Sequence, residues 1–171
     1  DGTVDDDGRL LDFQLPQRFD LTYTAEDNSE KTPIVIHRAV AGSLERFFAI
    51  TVEHLAGAFP TWLAPEQVRI LTITDDVHDY AYDVAELLEQ EDIRVEVDIR
   101  SEKIGYKIRE AEEMKIPYMF VIGGDEADDG TVAVRTYKDG RQGNMEPEEV
   151  RDEIVDRIEN RTLDVEVERS G

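Results

Sequence analysis

The run Tyr118–Gly123, YMFVIG, is apolar with no alternation. A strand that meets water on one side alternates apolar and polar residues, so an unbroken run marks a strand covered on both faces. Such a strand requires helices above and below its sheet, and the neighbouring chain supplies them. QVRILTIT (67–74) reads as a strand, and VHDYAYDVAELLEQ (77–90) as a helix with Tyr80, Ala81, Val84, Leu87 and Leu88 inward. IRVEVDI (93–99) alternates, and IGYKIREAEEMK (104–115) is a second helix. After a turn at ADDG (127–130), TVAVRTY alternates again. EPEEVRDEIVDRIEN (146–160) closes as a helix with Pro147 in its first turn and Val150, Ile154, Val155 and Ile158 inward. This order, β-α-β-α-β-β-α, predicts an α/β fold with a mixed sheet covered by helices.

Upstream the rhythm differs. DGTVDDDG reads as a solvated end. The later part of LLDFQLPQRFDLTYT (10–24) alternates, with Phe19, Leu21 and Tyr23 on one face of an expected strand. AEDNSEK is rich in turn formers, and TPIVIHRA (32–39) reads as a second strand, so the two form an expected antiparallel pair. Gly42 and Ser43 open a helix, Ser43 as its N-cap, with Leu44, Phe47, Phe48, Thr51 and Leu55 as its buried side. AGAFPTWLAP (56–65) then ends the helix. The expected division is a strand–strand–helix unit over 1–62, an α/β domain over 63–165 and a tail over 166–171, with TLDVEVERSG as a frayed end.

Composition narrows the class. The hydrophobic fraction of 40% can build a core, and the absence of cysteine excludes disulfides and thiolate chemistry within the chain. No apolar run reaches the roughly 18 residues of a membrane span, and no signal-peptide pattern is present, so a cytoplasmic location is expected. The net charge of −22, with five lysines beside fourteen arginines, suits a surface bathed in molar salt, where the Debye length shrinks to ~3 Å. A halophilic source is therefore expected.

Against that charge, Arg100, Lys103, Lys107, Arg109 and Lys115 form a positive island. Lys103 and Lys107, four apart, are read as sharing one helix face, with Arg100 just ahead and Gly105 allowing close backbone approach. Guanidinium groups can stack on bases or bond their edges, and helix N-termini favour phosphate. The spacing is equally compatible with a solvated face of ion pairs to Glu102, Glu110 and Glu113.

The wording DIRSEKIGYKIREAEEMKIPYMFVIG (98–123) closely resembles the anticodon-binding domain of class II aminoacyl-tRNA synthetases of the threonyl type. That family's usual form is D-x-R-N-E-K-I-G-x-K-I-R-E, a short gap, then P-Y-M. TPIVIHRAVAGSLERF is similar to its motif three, AGAFPTWLAPEQV to its interdomain junction, and GTVAVRTY with GNMEPEEV to the domain's end. The resemblance runs from about Leu11 to Asn160. It implies an anticodon-binding α/β fold, a mixed sheet of about five strands flanked by helices, preceded by a strand–strand–helix end of a catalytic domain. It also implies anticodon contacts from Arg100, Ser101, Lys103, Arg109, Lys115, Glu126 and Arg135. Ser101 stands where the family has asparagine, and Lys115 where arginine is common. The family reads the G and U that end a threonine anticodon, so the implied partner is the anticodon stem-loop of threonine tRNA.

The resemblance also implies roles upstream. His37 matches a zinc-ligating histidine whose partners are a cysteine and another histidine, and this chain has no cysteine. Arg46 matches the motif-three arginine that holds ATP phosphates. Leu10 stands at the place of a glutamine in a G-T-x-Q-L-D-F strand. Zinc, ATP and magnesium are thus implied for a parent enzyme that joins threonine to its tRNA, with none expected on this chain. The upstream catalytic domain is a second implied partner, and dimerisation is not implied, because motif one is missing. A free-standing tRNA-binding module without an active site, or a generic acidic α/β interaction domain, are the competing readings.

Overall fold

Residues 3–4, 9–38 and 42–163 are described by the structure, a computed structural model. The chain divides into two units, Asp1–Thr51 and Val52–Gly171. In order the first holds β1 (Thr3–Val4), β2 (Arg9–Asp12), α1 (Gln14–Arg18), β3 (Tyr23–Thr24), β4 (Glu30–Lys31), β5 (Val35–Arg38) and most of α2 (Leu44–His54). Its sheet runs β1-β2-β5, antiparallel throughout, with Leu10 opposite His37 and Asp12 opposite Val35.

Three expectations fail here. The 19–24 stretch does not pair with β5. The Asp12 carboxylate accepts the amides of Gln14 and Leu15, both at 2.9 Å, and turns the chain into α1. That leaves β2 beside β5, while only Tyr23–Thr24 remains extended, paired to Glu30–Lys31 across the expected turn. Part of the expected solvated end, Thr3–Val4, is a strand. Finally α2 forms, with the Ser43 hydroxyl accepting the Arg46 amide, but none of its residues is buried. Phe47 is 54% and Phe48 59% exposed. The amphipathic spacing holds, yet of the expected inward set only Leu55, just past the helix end, is buried, at 7%. The expected frayed tail, apart from Thr162 and Leu163, lies outside the described residues.

The second unit contains β6 (Val68–Thr72), a 3-10 turn at Asp75–Val77, α3 (His78–Glu89), β7 (Val95–Asp98), α4 (Ile104–Glu113), β8 (Tyr118–Ile122), α5 (Gly124–Asp129), β9 (Val132–Thr136), β10 (Gly140–Met145) and α6 (Pro147–Glu159). Its five-stranded sheet has the order β10-β9-β8-β6-β7. β6 is parallel to β7 and β8, and β8, β9 and β10 are antiparallel neighbours. As the apolar run requires, β8 is covered on both sides. Val68, Ile70 and Phe120 pack with Ala81, Val84 and Leu88 of α3 and with Val150 and Ile154 of α6. Leu71 and Met119 pack against Ala111 of α4, with Ile104 and Ile108 beside it.

The crossing into this unit is fixed by polar bonds. The fully buried Gln67 donates to the Thr61 carbonyl at 2.9 Å and accepts the Arg94 amide at 2.8 Å. The Arg94 guanidinium holds the carbonyls of Trp62 and Ala64. The expected ADDG turn is instead the end of α5. Glu126 starts that helix by accepting the Gly123 amide at 2.9 Å, and Gly130 stops it at φ 69°. A Cβ at Gly123 would lie 2.9 Å from Ile73 Cδ1 and 3.0 Å from the Glu126 carboxylate that caps the helix, so a larger residue there would displace both side chains. β10, at the sheet edge, carries a bulge between Arg141 and Gly143.

Several helices end on a left-handed residue that is not glycine, among them Ala56 (φ 49°), Asp92 (φ 57°), Lys115 (φ 58°) and Arg161 (φ 48°). After α3, the Asp92 amide donates to Glu89 and the Ile93 amide to Leu88, the pairing of a Schellman cap. Left-handed backbone costs L-residues about 1–2 kcal/mol, partly relieved for aspartate. Asp92→Gly should therefore stabilise the unit by about 0.5–1 kcal/mol in urea unfolding, and no gain would show that the cap carries no strain.

Candidate nucleic-acid interface

Lys107 organises the carboxyl edge of the parallel strands. Its side chain is 1% exposed, and its ammonium donates to the carbonyls of Thr72, ending β6, and Asp98, ending β7, both at 2.9 Å. The Asp98 carboxylate lies 3.8 Å away. That carboxylate also accepts the Arg100 amide at 3.0 Å and its guanidinium in a two-point bond at 3.0 and 2.7 Å. Arg100 reaches on to Glu110 of α4. Strand ends, connecting turn and first helical turns are thereby tied together, leaving Ser101 and Lys103 exposed between them.

The expectation that Lys103 and Lys107 share an outward face is therefore wrong. Ile104, Lys107, Ile108 and Ala111 form the inward side of α4, and Lys103 is its N-cap. Their spacing, i, i+3, i+4, i+7, was the available signal that position 107 points inward. Gly105 has open space around it and no close backbone neighbour.

Most of the positive island is internally engaged. Beyond Lys107 and Arg100, Arg109 pairs with Glu113 at 3.0 Å, both exposed, and Lys115 donates to the Ala56 carbonyl. The ion-paired face foreseen as an alternative thus exists, through Glu110 and Glu113. Lys103 is exposed and makes no ion pair among the described residues. Arg135 lies 3.4 Å from Glu112 of α4, with its buried Nε unpartnered. Glu126 caps α5 through one oxygen, and the other accepts Asn144 at 3.4 Å.

These residues do not converge on one pocket. The ten residues of α4 span about 15 Å. Arg100, Ser101, Lys103 and Glu126 lie at the carboxyl edge of the parallel strands, Lys115 at the far end of α4, and Arg135 beside Glu112 near that end. The arrangement is a stripe along α4 rather than a pocket. A cavity of about 500 Å³ lies at the far end, lined by Lys115, Tyr118, Arg157 and Leu163 among others, and takes in only Lys115 of the expected contacts.

In the first unit, the His37 Nε2 lies 3.4 Å from Asp12 Oδ2. No third histidine, cysteine or carboxylate joins them among the described residues, so the residues present do not fit zinc. Asp12 is held below the usual carboxylate range mainly by the Leu15 amide. Arg46 is exposed on α2.

Removing the buried side chain takes a donor from the Thr72 carbonyl, leaves the Asp98 carbonyl only the Thr72 hydroxyl at 3.2 Å and opens a void, so Lys107→Ala should cost about 2–5 kcal/mol in urea unfolding. Asp98 is held below its ordinary pKa, chiefly by the Arg100 guanidinium against the opposing effect of burial. A depressed folded value means the unfolded chain protonates first as pH falls. The stabilisation is complete above about pH 4 and lost as pH falls through the folded value. Asp98→Asn should flatten that acid limb in pH-dependent unfolding.

Known proteins share this architecture. The family model described as "Anticodon binding domain" matches residues 67–157, more than half of the chain. The model "tRNA synthetase class II core domain (G, H, P, S and T)" matches residues 8–55. The threonine–tRNA ligase of Acetivibrio thermocellus is 55% identical over 151 residues, 88% of this chain and 24% of that protein. The enzyme of the same name from Syntrophomonas wolfei is 54% identical over 153 residues, 90% of this chain and again 24% of the relative. The crystal structure of the RNA-binding domain of threonyl-tRNA synthetase from Cryptosporidium parvum matches with a TM-score of 0.67 and 34% identity, over 86% of this chain and 38% of that one. The chain thus spans about a quarter of the length of the curated relatives it matches. Among the described residues no helix is long and apolar enough to cross a membrane. With a class II core segment, an anticodon-binding fold and close relatives all of one kind, this chain belongs to the threonyl-tRNA synthetase family.

Proposed function

We propose that the chain reads the anticodon stem-loop of threonine tRNA as the C-terminal part of a cytoplasmic threonyl-tRNA synthetase. The complete protein would activate threonine with ATP and transfer it to the terminal adenosine of that tRNA. The observation that carries the reading is the matched anticodon-binding fold with its α4 stripe held on the Lys107 clamp. In it, Ser101 and Lys103 meet the loop from the N-terminal end of α4, Arg109 from its exposed middle, and Arg135 and Lys115 from its far end, while Arg100 and Glu126 shape the edge. Residues 1–62 would close the catalytic domain, and 63–165 would form the reader. Arg46 would meet ATP phosphate in the complete enzyme, and His37 would need ligands from outside the described residues.

The exposed Leu44 and Phe47 of α2, at 72% and 54%, favour this reading over a free-standing module, which would leave them to water. The acid surface suits a halophilic cytoplasm. There counterion release contributes little, and internal pairing of the cations lowers the charge available for it.

The test is binding of this chain to threonine tRNA and to the same tRNA altered only in its anticodon. Equal affinity for the two would end the proposal. Arg135→Ala should cost about 1–3 kcal/mol of binding if its guanidinium meets a base, against nearly nothing for an exposed ion pair. The slope of affinity against salt should be shallower than for a basic RNA-binding domain, and a steep slope would count against this mode.

A further inference from the structure

We propose that Tyr106 is a stacking platform for an unpaired base of the bound RNA, a contact that rests on the anticodon-reading function above. Tyr106 is 54% exposed in the first turn of α4. Its amide donates to the Lys103 carbonyl at 2.8 Å, so its backbone is fixed directly to the residue that carries the exposed cation. One turn of backbone thus carries both an ammonium suited to phosphate and a ring suited to a base.

The ring's direction follows from the residue after it. Lys107 points into the sheet to hold Thr72 and Asp98, and successive helical side chains diverge by roughly 100°, which turns Tyr106 outward. The residues that follow the two clamped carbonyls, Ile73 and Ile99, are also exposed, at 48% and 42%. Apolar side chains thus stand exposed on the same edge as Ser101 and Lys103, beside the charges that the island's count suggests. Single-stranded RNA is bound by stacking its splayed bases on aromatic rings, and that interaction survives salt that screens ion pairs.

A protein partner would use the same ring differently, and the experiment separates the two. The full chain is titrated with a fluorescently labelled anticodon stem-loop of threonine tRNA and with a loop altered in its anticodon. Tyr106→Ala should weaken cognate binding about 5- to 150-fold, the effect of losing one base stack, while Tyr106→Phe stays within about twofold. The slope of affinity against salt should be unchanged in Tyr106→Ala and shallower by about one in Lys103→Ala. Tyr82→Ala, which removes an equally exposed tyrosine (51%) from α3 on the opposite face of the sheet, should bind as the parent does. Parent-like binding by Tyr106→Ala overturns the stacking role, as does an equal loss in Tyr106→Phe or Tyr82→Ala. Failure of the unaltered chain to distinguish the two loops is a different result, which overturns the anticodon reading itself.

Discussion

One buried ammonium holds the carboxyl edge of the parallel strands together. Lys107, buried, ends two parallel strands at once by donating to both terminal carbonyls, with a carboxylate beside it to balance the charge. A hydrophobic residue could fill the volume, but it could not satisfy the carbonyls that emerge where a parallel sheet stops. The turn that carries Ser101 and Lys103 is anchored at its start by Asp98 and at its end by the helix that contains the lysine. Exposed residues on a short connection gain a fixed geometry in this way, which loops seldom have without such support.

The same accounting changes the meaning of the charge pattern. Five cations on a chain of net charge −22 suggest attraction to a polyanion, yet the structure uses most of them internally. Long-range attraction is a poor basis for recognition on so acidic a surface. Fixed hydrogen bonders and exposed rings at close range are a better one, and they discriminate among sequences where charge alone does not.

Much of the second unit was legible in the residues. The apolar run at Tyr118–Ile122 required a doubly covered strand, and the spacing in α3 and α6 identified their inward faces. What stayed hidden depended on single side chains acting on backbone. Asp12 redirects the chain into α1 through two amides, and Glu126 starts α5 through one, where composition suggested only a turn. Lys107 was masked by its own type, since a lysine is almost never fully buried unless paired, and its partners are carbonyls that no residue pattern displays. The spacing of α2 correctly marked an apolar side, but amphipathicity shows only that a face seeks cover, and among the described residues Leu44 and Phe47 remain exposed.

The bulge in β10 has a consequence for how the protein behaves in a crowded solution. A flat outer strand offers a row of unpaired amides and carbonyls on which another molecule's strand can grow. Here the outer strand is dislocated between Arg141 and Gly143, with Gly143 at φ 123°, and the other rim is short and carries Glu96. A broken row twists away from any straight template and cannot keep register with it. The sheet therefore terminates at five strands, and at an ionic strength that removes charge repulsion between molecules, this geometric mismatch still opposes fibre growth.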